Sequence, residues 1–326
     1  MRYLSSAVIV AGAFALTPIS NVNAEPSPND FIELFEKLGG QHKGQRRAHA
    51  NGVCAAATFT PNKALAERST SALFSAETLP ATVRFSMGSG NPSADQRANG
   101  ARGMAIQINL PDGSKHHIVG NSTPVFAAKD PATFFGLLEN LLPNPEGVVD
   151  YQKVGAYIAT HPSTQPLAQW QQVTPPPYSY GTSKYFGLHA FYFVDGKGER
   201  QVFRWHTTPD AGERLLTTEE KQALPELFLS DHLQQQFNAD GVSFTIHATL
   251  GQPEDTTIDP SQAWPADRET VEFGKITLNA VGGDACTPIN FDPNVVSAGF
   301  ATSDDPVLKM RSPAYAISFG KRLSGQ

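Results

Sequence analysis

Few features of this sequence declare a function by themselves. Cysteine occurs only twice in 326 residues, at Cys54 and Cys286. Two cysteines cannot build a disulfide scaffold, and without a C-x-x-C pair or a cysteine–histidine spacing the usual zinc motifs are excluded. Positive charge is also scarce: 25 Lys and Arg against 31 Asp and Glu leave a formal charge of −6. A dedicated nucleic-acid binder needs a basic patch to neutralise phosphate, and the longest basic cluster here, Lys43, Arg46 and Arg47, is short. After the opening residues no apolar run approaches the ~20 residues that span a bilayer. There is no G-x-S-x-G, and Gly88-Ser89-Gly90 lacks the further glycine and lysine of a phosphate loop. Internal repeats and low-complexity tracts are missing too.

The first residues differ in character from the rest. Arg2 supplies a positive start, Leu4 to Ile19 form an apolar stretch ending near Pro18, and Val22-Asn23-Ala24 gives a small-x-small cleavage pattern. This is the layout of an export signal, shorter than a spanning helix. Residues 1–24 are therefore set apart, and residues 25–326 are expected to form a single domain outside the cytoplasm, in a periplasm or secreted. Such a compartment permits a disulfide. Spacing alone leaves a Cys54–Cys286 bridge and two buried thiols equally open.

Along the chain, Ser27-Pro28-Asn29-Asp30 marks a helix start, followed by Phe31, Leu34, Phe35 and Leu38 on one face and a stop at Gly39-Gly40. Ala81 to Ser86 has a strand pattern. Met104 to Leu110 and His116 to Val119 flank Pro111-Asp112-Gly113, and Leu188 to Val194 and Gln201 to Thr207 flank Asp195 to Gly198, giving two hairpins. Val242 to Leu250 and Thr270 to Leu278 are further strands. Pro131 to Leu142 predicts a helix, and Thr217-x-x-Glu220 a capping box that opens a helix towards Phe237, interrupted at Pro225. Pro175 to Pro177 forms a stiff connection within the domain. Hairpins in series with inserted helices imply an α+β fold on an antiparallel sheet of about eight strands, and closing the sheet into a barrel would remove its edges.

Three segments hold candidate chemistry. In Arg311-Ser-Pro-Ala-Tyr315, Ser312 and Pro313 predict an N-cap and first helical residue, which puts Tyr315 in the first turn with Arg311 just outside it. A neighbouring cation and a helix N-terminus both favour a tyrosinate over a phenol. Arg322 lies two turns further along the same face. In Arg46-Arg47-Ala48-His49-Ala50, a histidine stands at the entrance to an apolar strand. Gly120-Asn121-Ser122-Thr123-Pro124-Val125-Phe126 has the composition of a turn. Singly, each also fits ordinary structure. His116-His117, adjacent on a strand, point to opposite faces and make a poor metal pair.

Together and in order, these segments resemble the haem-binding core of the monofunctional catalases, specifically the minimal members known as catalase-related peroxidases. Arg46-x-x-His49-Ala50 resembles the distal histidine motif, and Val83-Arg84-Phe85-Ser86 the strand that supplies a propionate arginine and a serine. Val119 to Phe126 is similar to the distal asparagine motif, continued by Lys129-Asp130-Pro131 and Phe134. Arg311-x-x-x-Tyr315 matches the proximal spacing, with Arg322 at another haem-side arginine and with Asp305 and His206 as a polar relay behind Arg311. The similarity spans roughly Lys37 to Arg322. It implies a β-barrel with flanking helices that binds haem b, with Tyr315 on the iron. His49 would be the acid–base on iron-bound peroxide, Asn121 would orient it, and Ser86 would hold the imidazole. Arg46, Arg84 and Arg322 would anchor haem carboxylates, Arg311 would keep Tyr315 deprotonated, and Phe134 would pack on the macrocycle. The first half-reaction would leave an oxidised ferryl haem.

The second half-reaction uses either another peroxide, as in a catalase, or an organic donor, as in a peroxidase. Asn99-Gly100-Ala101-Arg102-Gly103 replaces the segment that carries a channel acid in larger catalases. Gly88 stands near where larger catalases place a bulkier channel residue, and Phe126-Ala127 replaces a paired aromatic. The chain also stops soon after Arg322, without the C-terminal extension of larger catalases. These departures imply a peroxidase that reduces hydrogen peroxide or organic peroxides with a small organic donor and has weak or no catalase activity. They also favour a monomer or dimer over a tetramer. A small true catalase, an enzyme of fatty-acid hydroperoxides and a non-catalytic haem carrier remain as alternatives.

Overall fold

The computed structural model describes residues 25–326, so the export-signal expectation lies outside the described residues. Helix α1 (Pro28–Gly39) begins as expected from its sequence. Ser27 Oγ accepts from the Asp30 N–H while Asp30 Oδ2 accepts from the Ser27 N–H at 2.7 Å, and Phe31, Ile32 and Leu34 are buried. Strands β1 (Gly52–Pro61), β2 (Leu79–Met87), β3 (Arg102–Asn109) and β4 (Lys115–Asn121) then run as an antiparallel meander. Gly113, at φ +83°, supplies the left-handed turn between β3 and β4. Three helices follow: α2 (Pro131–Asn140), α3 (Tyr151–Thr160) and α4 (Gln165–Val173).

The second half of the sheet comprises β5 (Tyr185–Phe186), β6 (Phe191–Val194), β7 (Arg200–Pro209), β8 (Ser243–Leu250), β9 (Thr270–Val281) and β10 (Phe300–Thr302). Between β7 and β8 lie α5 (Thr218–Ala223) and α6 (Leu229–Asp240). The interruption around Pro225 separates them, and Thr217 and Glu220 form the capping box. Helix α7 (Pro306–Leu323) ends the fold. Eight strands close in the order β1-β2-β3-β4-β5-β7-β8-β9, with β9 returning to β1, while β6 and β10 extend outward from β7. Closure gives each of those eight strands a neighbour on both sides, β5 bridging β4 and β7 through its two residues, so that no terminal edge strand is left to pair with another chain.

Alternation along each strand separates two faces. Phe203 and Trp205 of β7, Phe244 and Ile246 of β8, and Val83 and Phe85 of β2 point into the barrel and are buried. The stacked pair Phe193–Phe203, with ring centroids 4.1 Å apart, is part of an aromatic core that also holds Phe74, Phe273 and Phe300. The opposite face of β1 to β4 looks outward. Strand register aligns Gly52, Ser86, Gly103 and Asn121 in one cross-strand row, and Cys54, Arg84, Ala105 and Val119 in the next. These two rows form the wall on which the site is built.

One local expectation is corrected. The C-terminal helix is capped not by Ser312 but by Asp305, whose Oδ1 accepts from the N–H groups of Val307 and Leu308 at 2.8 and 3.3 Å. Pro313 lies inside the helix, so Tyr315 sits mid-helix and cannot draw on a helix N-terminus. Proline weakens the turn before it. There the side chain of Asn294 donates to the Leu308 carbonyl at 3.0 Å and to Ser312 Oγ at 2.9 Å, bracing the loosened backbone.

Candidate active site

A cavity separates the outer face of β1–β4 from α7. The barrel side contributes His49, Arg84, Ser86, Gly103 and Asn121, and α7 contributes Arg311, Tyr315, Phe319 and Arg322. Ile32 and Phe35 of α1 cover part of it, and Asn290 and Phe291 close another side. Eight of the nine site residues singled out from the sequence, Arg46 among them, thus meet in one space. The ninth, Phe134, packs against Phe31 and Phe126 with centroids at 5.8 and 4.7 Å and is not a lining residue. The rings that line the cavity are Phe35, Phe291 and Phe319.

On the barrel side, His49 adopts φ +57°, the sole non-glycine with positive φ among the described residues. Histidine tolerates this region better than most residues, but it still costs about 1 kcal/mol. The backbone turn brings the imidazole against β2, where His49 Nδ1 lies 3.0 Å from Ser86 Oγ. A Cβ on Gly103 would stand 2.8 Å from both His49 Nδ1 and Ser86 Oγ, so the row has room for this pair only because position 103 is glycine. Burial, followed by the nearby charges of Arg84, Arg311 and Arg46, pushes the imidazole down to about 3. At neutral pH it is an uncharged base.

Asn121 is oriented without ambiguity. Its Oδ1 accepts from the Thr123 N–H at 3.1 Å and from Thr123 Oγ1 at 2.6 Å. A backbone N–H can only donate, so the atom it meets is the oxygen, and Nδ2 remains as the donor for the cavity.

On the helix side, Arg311 Nη2 donates to Tyr315 Oη at 2.7 Å, and Arg311 Nη1 donates to His189 Nε2 at 3.0 Å. Since a guanidinium cannot accept, Nε2 of His189 is the acceptor and Nδ1 carries the hydrogen, donated to Asp305 Oδ2 at 2.6 Å. Burial, outweighing Asp305, lowers the affinity of His189 for a second proton. Asp305 was expected in this relay, and His206 is corrected to His189. His206 lies instead on the barrel surface, stacked on His247 at 5.0 Å. A lone histidine in Gly187-Leu188-His189-Ala190 carries no local signal; its partners are 116 and 122 residues away.

The cavity is strongly cationic. Among the described residues, Arg46 donates only to the carbonyls of Cys286 and Ile289, at 3.3 and 2.9 Å, and Arg84 only to the Ala50 carbonyl at 3.1 Å. Arg322 is buried, with Nη2 lacking a hydrogen-bond partner among the described residues. None of the three meets a carboxylate among the described residues. Burial and mutual repulsion lower Arg46 to about 9; for Arg84, burial and Arg322 do so to about 10, against an opposing effect of Tyr180. Both remain charged at neutral pH. Three desolvated cations without counter-ions form a cradle that fits an anionic ligand with more than one carboxylate. A flat apolar ligand bearing two carboxylates, such as haem, meets both the charge and the phenyl-lined interior.

Around this cavity the sequence hid further contacts. Buried Glu36 of α1 pairs with Arg47 at 2.6 Å and with Lys321 of α7 at 2.9 Å, tying the covering helix to both walls. The Asn99–Gly103 segment folds inward: the Arg102 guanidinium donates to the carbonyls of Gln96, Ala98 and Gly100. Gly88 abuts the Ala101 backbone, where a Cβ would stand 2.7 Å from its carbonyl.

Comparison with known proteins agrees with this geometry. The model of the Catalase family matches residues 29–326. A catalase-related peroxidase of Synechococcus elongatus is 37% identical over 303 residues, covering 92% of this chain and 89% of that protein. One of Mycolicibacterium paratuberculosis is 32% identical over 299 residues, covering 90% and 93%. Among solved structures, catalase A from Saccharomyces cerevisiae superposes with a TM-score of 0.77 at 21% identity, covering 96% of this chain and 68% of that one. A fungal catalase superposes at 0.79, also at 21% identity, covering 96% and 66%. The chain thus spans about two thirds of these larger structures, and likeness at such identity shows the fold.

Proposed function

Because this chain belongs to the catalase family, we propose that it is a haem b peroxidase. It would reduce hydrogen peroxide or an organic peroxide with electrons from a small organic donor, with weak or no catalase activity. One observation carries the reading: a tyrosine hydrogen-bonded to an arginine on the helix side and an uncharged histidine beside an asparagine donor on the barrel side share a cavity with three arginines that meet no carboxylate among the described residues.

Haem, when bound, supplies redox-active iron for the two-electron reduction of a peroxide. Arg46, Arg84 and Arg322 hold its carboxylates, and Tyr315 offers its oxygen to the metal while Arg311 balances the phenolate charge. For His49 to act as a base at Nε2, Nδ1 must carry the hydrogen and donate to Ser86 Oγ. His49 then takes the proton from one peroxide oxygen and returns it to the other, which leaves as water or an alcohol. Asn121 Nδ2 donates to the peroxide and fixes it for that transfer. His189 and Asp305 hold Arg311 in place.

The preference for an organic donor is supported by the two peroxidase-named relatives and by the absence of an acidic residue from the Asn99–Gly103 segment. The proposal extends to location: residues 1–24 have the layout of an export signal, and the bonded Cys54–Cys286 pair suits an oxidising compartment. The test is turnover of haem-loaded protein on hydrogen peroxide, with donor oxidation and oxygen release recorded together. Peroxide consumption matched by donor oxidation supports the reading. Fast oxygen release without donor makes the protein a small catalase, and no turnover makes it a carrier.

A further inference from the structure

The carboxylate-binding side of the cavity contains a covalent tie that the chemistry above does not use. Cys54 is bonded to Cys286, with Cα atoms 5.4 Å apart and 232 residues between them. Cys54 belongs to the same outward row as Arg84, Ala105 and Val119, all three of which line the cavity. Cys286 opens an irregular segment, residues 286–291, that carries neither helix nor strand.

This segment is what holds Arg46. Both hydrogen-bond acceptors of the guanidinium, the carbonyls of Cys286 and Ile289, belong to it, and Phe291 lies under the same guanidinium at 5.9 Å. With Cys54 and Val119, Cys286 and Phe291 form a small apolar cluster separate from the barrel core. Besides the bridge it is fixed by the Cys286 N–H on Cys54 Sγ at 3.2 Å, the Gly282 N–H on the Cys54 carbonyl at 2.8 Å, the Phe291 ring 5.9 Å from that of His117 and, at the far end, His117 Nδ1 on the Asp292 carbonyl at 2.9 Å. Arg84 and Arg322 meanwhile repel Arg46. An irregular loop must therefore hold a cation against its neighbours.

We propose that the Cys54–Cys286 disulfide is a positioning element for Arg46, and through it sets how tightly the protein retains the carboxylates of its haem. The proposal rests on the haem reading of the cavity. A dithiol reductant breaks the S–S bond, each sulfur takes one hydrogen, and the reductant closes to its own disulfide. The 286–291 segment is then held only by packing and a few hydrogen bonds, its two carbonyls hold the guanidinium less firmly, and the haem carboxylate loses a prepaid partner.

The test is the rate of haem transfer from the holoprotein to excess apomyoglobin, followed in the Soret band. It compares wild type, Cys54→Ala/Cys286→Ala, Arg46→Ala and the triple variant. Loss of the bridge should speed release by roughly three- to tenfold, the worth of a hydrogen bond or two. In the Arg46→Ala background its loss should change little, because the group it positions is gone. An unchanged rate overturns the proposal. So does equal acceleration with and without Arg46, which would make the bridge a general brace. Should the cysteine variant not fold, dithiothreitol-treated wild-type holoprotein, with reduction verified by thiol count, gives the same comparison against treated Arg46→Ala. A wild type that takes up no haem overturns the cavity reading together with this role, whereas haem-loaded protein insensitive to the bridge overturns this role alone.

Discussion

Arg311 reaches one helical turn forward along α7 to donate to the phenol oxygen of Tyr315 at 2.7 Å. It is kept in that pose from behind by His189, and His189 by Asp305, the residue that also caps the helix. A single carboxylate thus sets both the start of α7 and the orientation of the proximal pair. Tyr315→Phe should abolish metal ligation: the reconstituted protein would lose the spectrum of a phenolate-ligated haem while remaining folded by circular dichroism. Retention of the wild-type spectrum would show that another residue binds the iron.

Asp305→Ala removes the cap and leaves buried His189 with an unmet N–H. Loss of a cap costs about 1 kcal/mol and an orphaned buried donor about 1–3 kcal/mol, so urea unfolding should show a loss of about 2–4 kcal/mol. A loss below about 1 kcal/mol would mean that the relay does not bear on the fold.

On the barrel side, His49→Ala should leave haem uptake intact and slow peroxide cleavage by about 10²–10⁴, the usual worth of a positioned acid–base. Gly103→Ala provides a sharper check, because its methyl would press on both His49 Nδ1 and Ser86 Oγ. With the imidazole displaced, cleavage should slow by about 10²-fold while haem uptake is retained. Rapid-mixing absorbance measures both, and a wild-type rate in either variant would contradict the role of His49.

Acid should destabilise the haem-free protein. Burial, with arginine neighbours at His49, His117 beside His116, and His247 and Lys184 beside His206, pushes these histidines down to about 3, 3 and 4. Above the ordinary histidine value near 6.5 they are neutral in both states and contribute no pH dependence. Below it, the unfolded chain takes up protons that the folded chain refuses, so stability falls as pH drops from about 6.5 towards 4. Each fully buried group contributes about 1.4 kcal/mol per pH unit. Urea midpoints between pH 4 and 8 measure the slope; a flat profile would show that these imidazoles are charged in the folded state.

The sequence made some of this legible and hid the rest for identifiable reasons. Local signals held where the physics is local: the Ser27–Asp30 and Thr217–Glu220 caps, the turn at Gly113 and the strand alternation of β2 to β4. Barrel closure was inferred from the need to remove edges, but the pairing of β9 with β1 is a long-range choice no spacing encodes. Pro313 misled because proline usually marks a helix start, whereas here Asn294, distant in sequence, braces the turn around it. The part of His189 is hidden for the same reason: it is defined by partners more than a hundred residues away, whereas His206 stands in a conspicuous strand motif. Gly103 is visible only when the atoms a side chain would meet are known.

The most direct test of the central claim is the optical spectrum of haem-loaded protein before peroxide, after one equivalent of peroxide, and after a subsequent organic donor. The account predicts a ferric haem spectrum that changes within the mixing experiment, persists without donor, and returns to its starting form when donor is added. A spectrum unmoved by peroxide, or one that recovers without donor while oxygen is released, would contradict it.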